Sequence, residues 1–210
     1  MIEAAIFDFD GVIVDSEPAH KAFEQDVFGQ LGLSISRKEH ESYTGTTWKV
    51  MCRKIMKKHC PPISFEEFLK IFLDNKGRIY DRVALQDGIR ETLGALSGEF
   101  RLAIASSAET DTIKRTLKRL GVSEFFGVVQ GSESIANPKP DPEVFLKAAE
   151  ALGASPGRCA VIEDAATGIM AARAAGMKSI GFASTGEQDL SGADVVVKRL
   201  SEIPPILSIL

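Results

Sequence analysis

AIFDFDGVIVDSE, residues 5–17, is the stretch that decides how the chain is interpreted. Its apolar residues have the pattern of a buried strand and of the segment that leaves it, yet Asp8, Asp10 and Asp15 lie within the run. An unpaired carboxylate is costly to bury, because burial favours its neutral form and raises its pKa. These acids therefore need either a position at the end of the strand or a cationic partner.

The composition is ordinary for a globular protein and points to no highly charged partner. The chain has 210 residues, of which 44% are hydrophobic and 26% charged, and its net charge is −4. This length suits one large domain, or a core with a smaller second domain. Because charges of one sign form no large block, the sequence favours neither a nucleic-acid partner nor a membrane partner.

The N-terminus and the cysteines favour a cytoplasmic location. The first apolar run ends at Asp8, an acidic residue stands where a signal peptide has basic ones, and no run approaches the roughly 18 apolar residues of a membrane span. Cys52, Cys60 and Cys159 lack metal-binding spacing, so we expect reduced thiols. We expect a monomer, or at most a weak homodimer.

Strand-like and helix-like segments alternate through most of the chain, which favours an α/β fold with a doubly wound (Rossmann-like) parallel sheet covered by helices on both faces. The predicted strands are residues 4–9, 102–106, 126–130, 160–163, 179–183 and 194–197. The helices predicted between the later strands are residues 109–120, 142–152 and 165–175.

Residues 17–83 break this alternation, because they contain helical patterns and no convincing strand. The predicted helices are residues 17–31, 46–58 and 64–81, and the linkers to the rest of the chain are residues 14–16 and 83–88. A helical block inserted after the first strand indicates a small second domain. We therefore predict a core formed by residues 1–15 and 84–210, with a helical cap at residues 16–83.

Polar residues follow the ends of several predicted strands. Asp8 and Asp10 end the first strand, Ser106 and Ser107 the second, and Glu163 and Asp164 the fourth, while Lys139 lies in the proline-rich loop at residues 137–142. Ligands of parallel α/β sheets bind beyond the carboxyl ends of the strands. Alternate residues of a strand share a face, so Asp8 and Asp10 could point the same way. A carboxylate cluster at this edge predicts a hard cation such as Mg²⁺ together with a substrate phosphate.

Other motifs and simpler explanations limit this interpretation. A calcium-binding loop is excluded because Gly11 comes too early after the D-x-D pattern, and the common nucleotide-binding, metalloprotease and α/β-hydrolase motifs are absent from the sequence.

Taken alone, Ser106 and Ser107 would more often cap a helix or lie in a loop, and Lys139 would be a surface lysine. Only in combination with the acidic motifs do these residues favour a phosphate-binding site.

With these motifs in view, the chain resembles the haloacid dehalogenase-like hydrolase superfamily, in its branch of capped phosphatases and β-phosphoglucomutases. Four motifs in order carry the resemblance over essentially the whole chain: FDFDGVIVDS at residues 7–16, AIASS at 103–107, NPKPDP at 137–142 and VIEDAATG at 161–168.

The resemblance implies a role for each matching residue. Asp8 would be the nucleophile, and Asp10 the general acid and then the base. Ser106 and Lys139 would bind the phosphoryl group, with Ser107 beside them. The implied Mg²⁺ ligands are Asp8, the backbone carbonyl of Asp10, Asp164 and, directly or through water, Glu163. The dehalogenases of the superfamily generally lack the second aspartate, so Asp10 favours phosphoryl transfer.

The substrate would be a small phosphate ester, and we expect a Mg²⁺-dependent phosphatase of small phosphorylated metabolites, in particular sugar phosphates. It would act through an aspartyl-phosphate. The cap residues that could contact the substrate are His20, Gly45, Thr46 and Trp48.

One alternative function is that of a β-phosphoglucomutase, although the loop at residues 43–48 lacks the basic residues of that branch. The other is a non-enzymatic receiver-like switch, which the helical insertion and Asp10 disfavour.

Overall fold

The computed structural model describes residues 1–36, 39, 48–184 and 189–210, apart from the side chains of Trp48 and Lys76. The chain forms two compact units. We call them the core unit, Met1–Asp15 with Ala84–Leu210, and the helical unit, Ser16–Val83.

The described part of the chain contains eight strands, eight α-helices and several short 3₁₀ segments. The strands are β1 (Ala4–Phe7), β2 (Val14–Asp15), β3 (Ala84–Leu85), β4 (Arg101–Ala105), β5 (Val128–Gln130), β6 (Cys159–Glu163), β7 (Lys178–Phe182) and β8 (Val195–Val197). The helices are α1 (Glu17–Gln30), α2 (Trp48–His59), α3 (Phe65–Asn75), α4 (Ile89–Leu96), α5 (Thr110–Leu120), α6 (Glu143–Leu152), α7 (Ala166–Ala174) and α8 (Ile203–Leu207).

Six strands of the core unit form one parallel sheet in the order β5-β4-β1-β6-β7-β8, which confirms the predicted doubly wound fold. The chain builds outward from β1 to β5, then returns to the other side of β1 and builds outward to β8. Strand order therefore reverses at β1, and ligands of such sheets bind beyond the strand ends at this point. The ends of β4, β1 and β6 are neighbours there.

β1 lies at the centre of the sheet and is completely buried. All four of its residues have no exposed surface. Its last residue, Phe7, pairs with Ile104 of β4 and with Ile162 of β6. One face of this region packs against α6 and α7, which contribute Phe145 and Ala171 to a continuous apolar cluster. The backbone around Asp8 is thus held from both neighbouring strands.

β1 is shorter than predicted, because the chain turns at Phe9. The carbonyl of Phe9 accepts hydrogen bonds from the N–H groups of Ile13 and Val14. The apolar run nevertheless continues beyond the strand, because Phe9 and the residues from Val12 to Val14 are themselves buried. Asp8 and Asp10 therefore belong to the loop that follows β1, and strand alternation does not set their relative directions.

A two-stranded antiparallel ribbon lies where the chain leaves and re-enters the core unit. It consists of β2 and β3, and it pairs Val14 with Leu85 and Asp15 with Ala84. The sequence predicted only linkers at these positions. Two-residue strands have too little periodicity to be recognised from sequence.

The helical unit contains α1, α2 and α3, followed by a 3₁₀ segment at Lys76–Asp81. The predicted single helix at residues 64–81 is therefore two elements. The Asn75 side-chain amide donates a hydrogen bond to the Ile71 carbonyl at 2.9 Å at the junction, and Gly77 follows. The predicted helix start at Thr46 lies outside the described residues.

Aromatic side chains form the core of the helical unit. Phe72 has no exposed surface, and its ring centroid lies 5.7 Å from that of Phe23, 6.1 Å from that of Phe28 and 5.7 Å from that of Phe68. Such pairs add to the free energy of burial through their edge-to-face geometry.

Two further findings concern the chain as a whole. All three cysteines are free; Cys52 and Cys159 are buried and Cys60 is exposed. Among the described residues, no helix combines the length and the apolar character needed to cross a bilayer.

We predict that Phe72→Ala lowers the free energy of unfolding of the helical unit by about 3–5 kcal/mol, because it leaves a cavity in this aromatic core. Urea unfolding followed by the fluorescence of Trp48, the one tryptophan of the chain, measures this loss. The control is Leu73→Ala, because Leu73 is 50% exposed. Equal effects of the two substitutions would contradict the packing described.

Candidate active site

Lys139 connects the ends of the three central strands of the sheet. Its Nζ donates hydrogen bonds to Asp8 Oδ1 at 2.5 Å and to Glu163 Oε1 at 2.8 Å. A third, longer contact of 3.4 Å reaches the Ala105 carbonyl oxygen. Asp8 follows β1, Glu163 ends β6 and Ala105 ends β4. One ammonium group therefore gathers the segments that the sequence placed at this edge.

These charged groups are desolvated. The side chain of Lys139 is 8% exposed, that of Asp8 10% and that of Glu163 2%. Burial alone lowers the pKa of Lys139, but the charges of Asp8 and Glu163 outweigh it and raise this pKa above its ordinary value. The Nζ also lies 4.8 Å from the centroid of the Phe145 ring, whose face favours a cation. Lys139 is therefore a fixed positive charge.

The Asp8 carboxylate is buried between a cation and a second acid. Burial raises its pKa to about 6, with Lys139 acting to lower the value and Glu163 to raise it. A dication bound beside this carboxylate would favour its ionised form and lower its pKa. Burial is the largest cause of the raised pKa, and Lys139 opposes it only in part.

Three carboxylates at this edge could hold a metal ion. Asp8, Glu163 and Asp164 each place an oxygen so that these atoms all lie within 4.8 Å of one another. Three carboxylates and one ammonium leave two negative charges if all are ionised. Oxygen ligands and a net charge of this size suit Mg²⁺, which binds through one or two carboxylates and retains waters. The donor set therefore fits the predicted cofactor.

Both carboxylate oxygens of Glu163 have protein partners. Oε1 accepts from Lys139, and Oε2 accepts from the Ala165 N–H at 2.7 Å. These contacts fix the orientation of Glu163 and, through it, that of Lys139. Glu163 therefore positions the Lys139 ammonium group, in addition to its predicted role beside the metal.

Two glycines allow the backbone to approach these acids. A Cβ on Gly11 would lie 1.9 Å from Asp164 Oδ2, and the φ of +78° at Gly11 also disfavours other residues. A Cβ on Gly168, in the first turns of α7, would lie 1.9 Å from Glu163 Oε1. Asp164 and Glu163 therefore each pack directly against the backbone of a glycine, where any side chain would collide with them.

Asp10 lies on the loop between β1 and β2. Its backbone forms a bridge with Val14, and its Oδ1 atom is buried. Among the described residues, the group of three carboxylates does not include the Asp10 side chain. A contribution of Asp10 to a metal site through its backbone carbonyl stays a prediction.

The two predicted phosphate-binding serines differ in their surroundings. Ser106 follows β4 directly and is 1% exposed; its N–H donates to the Gln130 carbonyl, and its Oγ accepts from the Ala108 N–H at 3.0 Å. The Ser106 hydroxyl can still donate its own proton. Ser107 is exposed at the start of the next loop.

The loop that carries Lys139 is held by Glu143. Its Oε2 accepts hydrogen bonds from the N–H groups of Ala136 and Asn137, each at 2.9 Å. A hydrogen bond from Lys147, followed by those from Asn137 and Ala136, lowers the pKa of Glu143 to about 2. Glu143 thus remains ionised and ties the loop to the start of α6.

The predicted cap residues are only partly described. His20 lies on α1 in the helical unit and is half-buried. Gly45 and Thr46 lie outside the described residues. Trp48 begins α2, and its side chain also lies outside the described part. Their contact with a substrate stays a prediction.

The sequence-based interpretation missed three supporting residues: Gly168, Phe145 and Glu143. A signal existed for Gly168, since a glycine inside a predicted helix costs stability and usually has a packing reason. Phe145 and Glu143 gave no such signal, because a buried aromatic and a first-turn acid are common in helices.

Comparison with known proteins assigns the chain to a family. The sequence model of the family described as haloacid dehalogenase-like hydrolase matches residues 5–182. This range contains Asp8, Ser106, Lys139 and the acids at the end of β6. The chain therefore belongs to the haloacid dehalogenase-like hydrolase family.

Two curated relatives match over most of their length. The phosphorylated carbohydrates phosphatase of Thermotoga maritima is 30% identical over 181 residues, which are 85% of this chain and 84% of that protein. The beta-phosphoglucomutase of Bacillus subtilis is 30% identical over 211 residues, which are 96% of this chain and 92% of that protein. By contrast, the chain spans only 18% of a longer relative, the chloroplastic Protein SUPPRESSOR OF QUENCHING 1 of Arabidopsis thaliana, at 30% identity over 190 residues, 88% of this chain.

A solved structure extends the similarity to the fold. The HAD family hydrolase of Deinococcus radiodurans, crystallised with bound phosphate and sodium, has a TM-score of 0.80 at 28% identity and covers 99% of this chain and 96% of its own. Membership of this family identifies the chain as a hydrolase-type enzyme, and its curated relatives include further proteins that are named as phosphatases.

We predict that Gly168→Ala lowers kcat for a phosphate ester about 100-fold, because the new methyl group displaces Glu163 and disturbs its contact with Lys139. Phosphate release under saturating substrate measures this effect. Gly94→Ala is the matched control, since Gly94 also lies inside a helix, α4, but nothing lies within 4 Å of its Cβ position.

The control should keep full activity and gain about 0.5–1 kcal/mol of stability, as expected for glycine-to-alanine changes in helices. Wild-type activity of Gly168→Ala would show that the position of Glu163 does not matter.

Proposed function

We propose that this protein is a Mg²⁺-dependent phosphatase that hydrolyses small phosphorylated metabolites, with sugar phosphates as the preferred class, through a phosphoryl group carried on Asp8. The observation that carries the proposal is the buried contact between Lys139 and Asp8, with two further carboxylates within metal-binding distance. A nucleophilic carboxylate, a fixed cation and a metal-binding acid cluster are what phosphoryl transfer needs at one point.

In the first step, an ionised Asp8 oxygen attacks phosphorus and the bond to the ester oxygen breaks. Asp10 gives its proton to the departing oxygen, so the alcohol leaves neutral and Asp8 carries an acyl phosphate. In the second step, Asp10 takes a proton from water as the water oxygen attacks phosphorus. The acyl phosphate bond then breaks, releasing inorganic phosphate and restoring the Asp8 carboxylate.

Lys139 and Ser106 stabilise the charge of the transferring group. Because Lys139 is held by Asp8 and Glu163, its charge is already in place and needs no reorganisation during the reaction. The Ser106 hydroxyl, anchored through its contact with Ala108, can donate to a phosphoryl oxygen. Ser107 would support the same group from the loop.

The residues that would hold Mg²⁺ are Asp8, Asp164 and the carbonyl of Asp10, with Glu163 in direct or water-mediated contact. When bound, Mg²⁺ would offset the negative charge of the phosphoryl oxygens. Gly11 lets the loop after Asp8 approach Asp164, which keeps these ligands together.

The helical unit would act as a cap that excludes bulk water from the first step and then admits the hydrolytic water. His20, Gly45, Thr46 and Trp48 are the candidates for substrate selection. Support for sugar phosphates comes from the Thermotoga maritima relative, which is named a phosphorylated carbohydrates phosphatase.

A β-phosphoglucomutase is the second candidate, favoured by the similarity to the Bacillus subtilis enzyme of that name. Glucose 1-phosphate separates the two functions. Free phosphate as the product supports the phosphatase, and glucose 6-phosphate supports the mutase. The receiver-like switch is set aside, because the family assignment is to hydrolases.

We predict that Asp8→Asn lowers phosphate release on the order of 10⁴-fold or more, because an amide cannot serve as the nucleophile. Phosphate release from a panel of sugar phosphates with Mg²⁺ measures the loss, and circular dichroism checks that the fold is retained. A folded Asp8→Asn protein with wild-type turnover would refute the proposed mechanism.

We predict that Asp164→Asn weakens Mg²⁺ binding at least about tenfold, because one charged ligand is lost. Isothermal titration with Mg²⁺ alone measures this without turnover. Asp111→Asn is the control, since Asp111 is exposed on α5. If both variants bind Mg²⁺ as tightly as the wild type, the metal lies elsewhere.

A further inference from the structure

Gln86 is attached to the loop that follows the nucleophile, although 75 residues separate it from Gly11. Its side-chain Nε2 donates a hydrogen bond to the Gly11 carbonyl oxygen at 2.9 Å. Its backbone N–H donates to the Ile13 carbonyl oxygen at 3.0 Å. A carbonyl oxygen can only accept, so the amide nitrogen of Gln86 must face Gly11.

The loop held by Gln86 also closes on itself. The N–H of Gly11 donates to the Val14 carbonyl at 2.8 Å, and the Phe9 carbonyl accepts from Ile13 and Val14. Gly11 and Ile13 are the two residues whose carbonyls Gln86 binds. The loop is thus pinned at two points from outside, one of them through a side chain.

Gly11 directly follows Asp10, and its Cα lies so close to Asp164 that a methyl group would collide with the carboxylate. The carbonyl that Gln86 binds belongs to the peptide that joins Gly11 to Val12. A shift of this peptide would therefore reach Asp10 through the backbone of Gly11, and it would alter the space beside Asp164. The hydrogen bond from Gln86 opposes such a shift.

Gln86 itself is firmly anchored. It directly follows β3, which pairs with β2, and its own carbonyl accepts the N–H of Ile89 at 3.1 Å at the start of α4. The side chain thus extends from a fixed backbone. Gln86 follows the boundary at which the chain returns from the helical unit to the core unit.

We propose that Gln86 is a positioning residue for the reaction: its side-chain amide sets the Gly11 peptide and thereby holds Asp10 where it can exchange protons with the ester oxygen and with water. This rests on the proposed function of Asp10 as the general acid and base. In this role Gln86 acts through the Gly11 peptide and not through contact with the substrate.

The test compares Gln86→Leu, which removes the donor at similar size, with Gln86→Glu, which places an acceptor against the Gly11 carbonyl. We expect kcat for p-nitrophenyl phosphate with Mg²⁺ to fall about tenfold in both, with KM within about twofold of the wild type. Gln25→Leu is the control, since Gln25 is exposed on α1, and its kcat should not change.

Amide hydrogen exchange supplies a readout that needs no turnover. We expect faster exchange in the peptide that covers residues 9–14 in both Gln86 variants, and unchanged exchange in a peptide from β6. A merely structural role of Gln86 would instead accelerate exchange across the core unit and leave kcat per folded molecule unchanged.

The outcomes separate this inference from the proposed function. A kcat of either Gln86 variant within twofold of the wild type, or unchanged exchange at residues 9–14, would overturn the positioning role. Wild-type protein that releases no phosphate from any ester would refute the proposed function. Local acceleration of exchange in the variants would then still support the attachment of the loop to Gln86.

Discussion

The buried ammonium group of Lys139 is the constraint on which the rest of the site depends. Asp8 and Glu163 are too deeply buried to carry their charges alone, and Lys139 binds both. Removing one member of such a group would leave an uncompensated buried charge, which is strongly destabilising. The pKa of Asp8 nevertheless stays raised, to about 6, mainly because of burial. Lys139 therefore organises the site, and Asp8, Glu163 and Asp164 provide the carboxylate oxygens that could hold a dication beside it.

The doubly wound sheet explains why residues so distant in sequence meet. Lys139 and Asp8 are 131 residues apart, and Lys139 and Glu163 are 24 apart. The order β5-β4-β1-β6-β7-β8 places the ends of β4, β1 and β6 side by side at the point where the strand order reverses. Each strand end needs to supply only one or two polar residues, since its apolar part is held in the sheet. The glycines at positions 11 and 168 then allow backbone to approach the acids.

The fold class and the central charged residues could be predicted from the sequence because they rest on local patterns. Buried strands are continuous apolar runs, and the acids that end them stand out. The end of β1 was predicted too late, at Phe9 instead of Phe7, because apolar residues continue through a turn that is itself buried.

The contact of Gln86 with Gly11 could not be predicted, since a glutamine after a short apolar pair carries no signal of its distant partner. The Glu143 contacts with the Lys139 loop were missed for the same reason: hydrogen bonds to backbone N–H groups depend on the folded course of the loop.

The measurement that tests the central claim most directly is chemical trapping of the phosphoryl group on the protein. Wild-type protein is incubated with a sugar phosphate and Mg²⁺, quenched, and treated with borohydride, which reduces an acyl phosphate of aspartate to homoserine. Peptide mass spectrometry then locates the modified residue. The account predicts homoserine at position 8, dependent on the phosphate ester. Homoserine at another acid, or sustained phosphate release with no modification at Asp8, would contradict it.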